Sequence, residues 1–263
     1  MKYKEIKTKN ILNKIVNKDN LFKGYYTLDP YQNCEFGCKY CDSSYEKLIY
    51  IKKNSEDLLK NQIRKIEKKT IIIGSVHDPY QKIEKKYKIT REILKIIKEN
   101  DYPCHILTKS DLVLRDLDIL TKMNKCKVTI SISSLDKNIY KVFEKNVPSP
   151  QKRLNIVNTL FENNIKAGIA LIPAMPLLID KELENIIKKA RDNNSAYFLY
   201  KYLELKGDQK KYYFDILKFF FPNLLRKYEK LYQDSYMPNQ EYINDLTNKI
   251  SNLSEKYNLK NRI

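Results

Sequence analysis

The sequence predicts an α/β protein of parallel βα units followed by a helical extension. Three observations lead there. Short runs rich in β-branched residues alternate with stretches whose apolar residues recur every three or four positions. Such alternation argues for parallel strands, because a parallel neighbour needs a crossover long enough to hold a helix. Past about Lys206 the alternation stops, and aromatic, helix-like sequence runs on to the end.

In chain order, residues 1–23 are polar and lysine-rich, a lead-in without a firm pattern. The barrel-forming part spans 24–206, with strand candidates at 25–29, 70–75, 105–108, 127–133, 166–172 and 196–203. Between them lie helical stripes at Leu59, Ile63 and Ile66, then at Ile93, Ile96 and Ile97. Further stripes run through Leu154, Val157, Leu160 and Phe161, and through Leu183, Ile186, Ile187 and Ala190. Ser149 followed by Pro150 reads as an N-cap with proline in the first helical position, and Ser110 as a second cap. Residues 207–263 form the extension, whose Tyr212, Tyr213, Phe214, Phe219, Phe220 and Phe221 read as core packing rather than as base-stacking platforms.

The chemistry is concentrated in Cys34, Cys38 and Cys41, spaced C-x₃-C-x₂-C. Three thiolates suit three of the four irons of a [4Fe–4S] cube and leave the fourth open to a ligand that is not protein. A structural zinc ion would need a fourth donor at defined spacing. Cys104, Cys126, His77 and His105 instead stand alone in the sequence. Disulfides are not expected from five cysteines behind a lysine-rich start without an apolar core.

Composition sets the bounds. The 263 residues are 42% hydrophobic, enough for a sizeable core, and no apolar run approaches membrane-spanning length. Reduced thiols and an oxygen-sensitive cluster lead us to expect a cytoplasmic protein; a monomer with no membrane partner is expected as well. A net charge of +18 favours polyanions at long range, which makes nucleic acid a candidate partner. Lysine is nevertheless spread along nearly every helix, so the charge also reads as a bias of the whole composition.

The cysteine segment, with Tyr40 just before the last cysteine, resembles the cluster motif of the radical SAM superfamily. The strings YTLDPYQNCEFGCKYCDSSY (26–45), GSVHDPYQKIEKKYKITREIL (74–94), HILTKSDLVLRDLDIL (105–120), PSPQKRL (148–154) and ALIPAMPLLID (170–180) resemble the branch related to spore photoproduct lyase. The resemblance implies a partial (β/α)₆ TIM-like barrel, with which six strand candidates agree. It also implies a [4Fe–4S] cluster on Cys34, Cys38 and Cys41, and S-adenosylmethionine (SAM) cleaved reductively to a 5′-deoxyadenosyl radical. A reducing donor such as flavodoxin or ferredoxin is implied as well.

By the same resemblance, Tyr40 lies over the adenine region and Gly74-Ser75 stand at the SAM amino group, although the usual glycine-glycine-acid string is absent. Lys109, at the end of the third strand, is the expected partner of the SAM carboxylate. Ser131 falls on the inward face of an alternating strand. His77, Asp78 and Tyr80 are candidates for facing substrate. Asp78 could equally cap a turn or pair with Arg91 or Arg115. Spore photoproduct lyase carries a hydrogen-donating cysteine where this chain has Ser75, which argues against that lesion as the substrate. The alternative to an enzyme is a basic nucleic-acid-binding module with a structural metal or cluster.

Overall fold

The computed structural model describes residues 1–17, 19–42 and 46–263; the last three residues of the cysteine string, 43–45, lie outside them. Six strands form the parallel run: β3 (Tyr26–Leu28), β6 (Ile71–Ile73), β7 (Cys104–Thr108), β8 (Cys126–Ser131), β9 (Lys166–Ala174) and β10 (Phe198–Tyr202). They pair side by side in chain order, each parallel to the next. An antiparallel strand, β2 (Leu12–Lys14), borders β3. Edges remain at β2 and β10, so this is the partial (β/α)₆ barrel, open on one side.

The six expected strands are the six observed, with ends shifted by at most two residues. Their content explains the placement. β6 is three isoleucines, all buried, as a strand covered on both faces demands. Helices α1 (Ser55–Ile63), α3 (Ile89–Glu99), α6 (Pro150–Glu162) and α7 (Leu183–Asp192) alternate with the strands. The expected stripes are buried in them, with two exceptions. Ile66 falls beyond the end of α1, and Phe161 is 53% exposed because it lies on the outer side of α6. Ser149 caps α6 as expected, accepting from the Lys152 amide, and Ser110 accepts from Leu112 at the start of a 3₁₀ turn, Asp111–Asp116.

The lead-in is more structured than its composition suggests. Besides β2 it holds β1 (Lys2–Ile6), which pairs with β5 (Leu48–Lys52); β5 pairs in turn with the short β4 (Tyr31–Gln32). This three-stranded side sheet brackets the cysteine segment, which leaves β4 and returns on β5.

After β10 come α8 (Asp208–Phe220), α9 (Pro222–Tyr232) and α10 (Gln240–Lys256), with α10 packed against α7. The aromatic stripe splits. Tyr213 and Leu217 are fully buried, whereas Phe219 and Phe220 face solvent.

Candidate active site at the barrel mouth

A cavity of about 360 Å³ opens at the C-terminal ends of the parallel strands, the face where parallel barrels carry their chemistry. The residues expected to hold the cluster and SAM all line it: Cys34, Cys38, Cys41, Tyr40, Gly74, Ser75, Lys109 and Ser131. The cysteine loop forms one wall, the ends of β6 to β9 the floor, and the stretch from Lys201 to Gln209 the opposite wall.

The loop is held in place by side chains the sequence reading had not singled out. Gln81 donates to the Asn33 carbonyl and accepts from the Glu35 amide, both within the buried interior. Glu35 accepts from Tyr3 of β1 at 2.7 Å and from the Ile83 amide at 2.6 Å. Asn33 adopts φ 65 and donates to Glu46 and to the Leu48 carbonyl. From the C-terminal side, the amide of Gln209 donates to the Tyr40 carbonyl. The only signal for Gln81 in the sequence was its place in the DPYQ string.

Among the described residues no three Cys, His, Asp or Glu side chains converge on a single ion. The three thiols nevertheless border one cavity, and a cube takes one thiolate per iron rather than three on one ion. Burial, reinforced by the Asp78 charge, pushes the Cys34 thiol up to about 12, and burial raises Cys38 further. Burial of this kind disfavours thiolates by itself, and a cationic metal centre would reverse that balance. The donor set therefore fits an iron–sulfur group.

Tyr40 is 6% exposed, and its ring borders the cavity. Its hydroxyl donates to Glu144 and lies 3.0 Å from Ser133 Oγ. Glu144 forms a fully buried ion pair with Arg153, which also donates to the Ser131 carbonyl at 2.6 Å. Burial alone would raise the Glu144 carboxyl, but Arg153, Lys109 and the hydrogen bonds around it hold it below its usual value.

Lys109 Nζ donates to Ser131 Oγ at 2.9 Å and sits 5.8 Å from the Tyr40 ring centroid. Among the described residues no carboxylate lies within ion-pair distance of it. Lys109 therefore makes no ion pair among the described residues and meets the Asp78 and Glu144 carboxylates only at longer range. Ser131 Oγ in turn donates a hydrogen bond to the Ile172 carbonyl at 2.9 Å.

Gly74 adopts φ +85, and a Cβ there would meet Pro79 Cδ at 2.4 Å and the Leu107 carbonyl at 2.5 Å, so only glycine fits this close approach. Ser75 donates to Asp29 Oδ2 at 3.2 Å, while Asp29 Oδ1 takes the Val76 and His77 amides. The Ser75 hydroxyl is therefore left to a ligand as an acceptor, which suits an ammonium rather than an anion.

The three companions named after the second strand separate. Asp78 lines the cavity and caps a turn, accepting from the Tyr80 amide, from Thr108 Oγ1 at 2.7 Å and from the Lys109 amide at 2.7 Å. It pairs with neither arginine. Burial raises its carboxyl, opposed by those donors. His77 does not line the cavity, and Tyr80 is fully buried, its hydroxyl on Asp116 at 3.1 Å, so neither meets a ligand there. Arg91 and Arg115 belong to a brace with Glu84, Asp116 and Asp118. The IEKKY-x-x-TR and RD strings are structural for that reason.

The two remaining cysteines are not alone. Cys104 and Cys126 are register partners at the starts of β7 and β8, with Sγ atoms 3.3 Å apart. That end of the strands is opposite the cavity, which places both thiols away from the mouth.

Parallel strands delivering a thiol loop, a cation and a glycine-lined floor to one mouth define a cofactor-dependent barrel of the radical SAM class. Comparison with known proteins makes the family explicit: the chain belongs to the radical SAM superfamily, whose family model matches residues 28–190. Members of that superfamily use a [4Fe–4S] cluster and SAM. An uncharacterized protein of Methanocaldococcus jannaschii is 36% identical over 213 residues, covering 77% of this chain and 80% of the relative. An uncharacterized protein of Mycobacterium tuberculosis is 24% identical over 279 residues, covering 98% and 81%. Among solved structures, a variant of spore photoproduct lyase with bound AdoMet and dinucleoside spore photoproduct superposes with a TM-score of 0.70 at 15% identity, over 92% of this chain and 76% of that one. Another lyase variant reaches 0.73 at 14% identity, over 97% and 79%. At such identities the likeness is one of fold.

Proposed function

We propose that this protein is a radical SAM enzyme in which Cys34, Cys38 and Cys41 hold one [4Fe–4S] cluster and the adjoining cavity holds SAM. When bound, these groups would supply reductive cleavage of the sulfonium to a 5′-deoxyadenosyl radical able to take a hydrogen atom from the substrate. The observation that carries the reading is the meeting of three thiols with the unpaired Lys109 cation in one cavity. Lys109 would receive the SAM carboxylate, and the Ser75 hydroxyl with the Gly74 backbone the ammonium. Tyr40, fixed through Glu144 and Gln209, would form the wall beside the adenine. Ser131 orients Lys109. The wall from Lys201 to Gln209 limits water access, as radical chemistry requires.

The test is anaerobic reconstitution. Brown protein with about four irons per chain is expected, releasing 5′-deoxyadenosine when reduced with SAM, and Cys38→Ala should do neither. Colourless protein with one zinc would refute the reading. The electron would come from a flavodoxin- or ferredoxin-type donor.

For the substrate, the favoured class is nucleic acid. The net charge of +18 supports it, as do Lys201 and Lys206, which flank Glu204 at the cavity wall. A fold neighbour was solved with a dinucleoside spore photoproduct. Repair of that lesion itself is not favoured, because the Ser75 O–H, already donated to Asp29, is a poor hydrogen-atom source. A pure binding module would instead hold polynucleotide in a salt-dependent way whether or not SAM is present. No helix among the described residues is long and apolar enough to cross a membrane.

A further inference from the structure

The cavity does not account for the whole upper face of the barrel. A second depression, a groove of about 370 Å³, runs along the cysteine loop, with Phe36, Lys82, Lys85, Asp111 and Lys145 in its lining. Phe36 borders the groove and the cavity alike. It is 3% exposed and sits in the loop between Cys34 and Cys38. Phe36 is thus the lining residue that the groove and the thiol-bearing cavity share.

The lysines arrive from different parts of the chain. Lys82 and Lys85 flank the start of α2 (Glu84–Tyr87), and Lys145 follows α5 (Lys137–Phe143). All three are exposed. Among the described residues none of them has a carboxylate within ion-pair distance, in contrast to Arg91, Arg115, Lys201 and Lys206. Asp111 is the one acid in the lining. Lysine is common all over this surface; here it is concave, uncompensated and set against the loop.

The chemistry proposed for the site needs one electron from outside at each reduction. With SAM and substrate in the cavity, that electron has to enter from another side, and electron transfer weakens steeply with distance. We propose that the groove docks an acidic one-electron carrier protein, its carboxylates facing Lys82, Lys85 and Lys145 and its redox centre over Phe36. This rests on the cluster assignment above. One electron leaves the carrier, a flavin hydroquinone becoming a semiquinone, and reduces the cluster from its 2+ to its 1+ state; no bond forms or breaks at the groove. Interfaces of this type are small and charge-steered. A phosphodiester strand would also meet the lysines, but the groove backs the loop, whereas a substrate must reach into the cavity.

The experiment compares reconstituted wild type with Lys82→Glu/Lys85→Glu/Lys145→Glu and with the corresponding triple Gln variant, at low ionic strength under anaerobic conditions. The probe is a purified flavodoxin in its hydroquinone state. Complex formation is followed by calorimetry, cluster reduction by bleaching, and dithionite serves as the small-molecule reductant. The Glu variant should bind flavodoxin and be reduced by it at least about tenfold less well, with the Gln variant in between. Iron content and the dithionite rate should match wild type. Equal flavodoxin binding and rates in all three proteins overturn the proposal. So does an equal loss with dithionite, or a loss confined to binding of a single-stranded oligonucleotide. Wild type that takes up no iron defeats the cluster assignment; wild type reduced by dithionite but never engaged by flavodoxin defeats the docking alone.

Discussion

Lys109 shows how much one side chain can decide. Its neighbours are a hydroxyl and an aromatic face, both weak partners for an ammonium in a partly desolvated cavity. A ligand carboxylate would complete it, and charge-assisted bonds of this type contribute about 1.5–3 kcal/mol. Lys109→Met should therefore weaken SAM binding by about 10- to 100-fold while cluster iron stays at the wild-type level, measured by equilibrium dialysis and metal analysis. Unchanged affinity would remove Lys109 from the site. The residue was legible in the sequence because it follows an apolar strand on the functional face. Gln81, Glu144 and Arg153 were not. In a chain that is 31% charged, nothing local marks which charges lose their water. Only the packing of α6 on β8 and β9 buries Arg153. The Cys104–Cys126 contact was hidden for a related reason, since strand register sets it and spacing does not.

At the scale of elements, the ion pair between α6 and the turn after α5 ties the barrel wall to the cysteine loop through Tyr40. Taking away one member of such a pair strands the other charge in the interior, at about 3–5 kcal/mol. Arg153→Met should lower unfolding stability by that order in urea titration of the cluster-free chain. Adding Glu144→Gln should restore part of it, since the stranded charge is then gone. A double variant no better than the single would show that packing, rather than charge, is what Arg153 contributes. The parallel strands were readable because burial on both faces leaves continuous β-branched runs such as Ile71–Ile73. The side sheet was not. β1 is four-fifths lysine, tyrosine and glutamate, almost wholly exposed, and its partner β5 lies more than forty residues away. Pairing at that separation leaves no local pattern.

Across the whole molecule, the barrel interior below the cavity is closed by a polar chain in which His105 Nε2 meets Thr129 Oγ1 at 2.5 Å and Thr129 meets the Tyr197 hydroxyl at 2.8 Å. Gly168 makes room for the Tyr197 ring, which a Cβ would overlap. Burial pushes the His105 imidazole down to about 4 from an ordinary 6.5. The unfolded chain binds that proton below pH 6.5, whereas the folded chain resists it until about pH 4. The associated stability is thus complete above pH 6.5 and is lost as pH falls through this window, by about 3 kcal/mol in all. Chemical denaturation of the cluster-free chain from pH 7 to 4 should show that slope, and His105→Phe should flatten it. A slope unchanged in the variant would assign acid sensitivity to other groups.

The Gln209–Tyr40 bond carries a consequence for biosynthesis. Tyr40 is translated early and Gln209 late, so a growing polypeptide exposes its thiol loop without its outer wall for most of elongation. The shielded pocket is complete only once α8 has been made, and nascent chains stalled before α8 would present bare thiols to the cell.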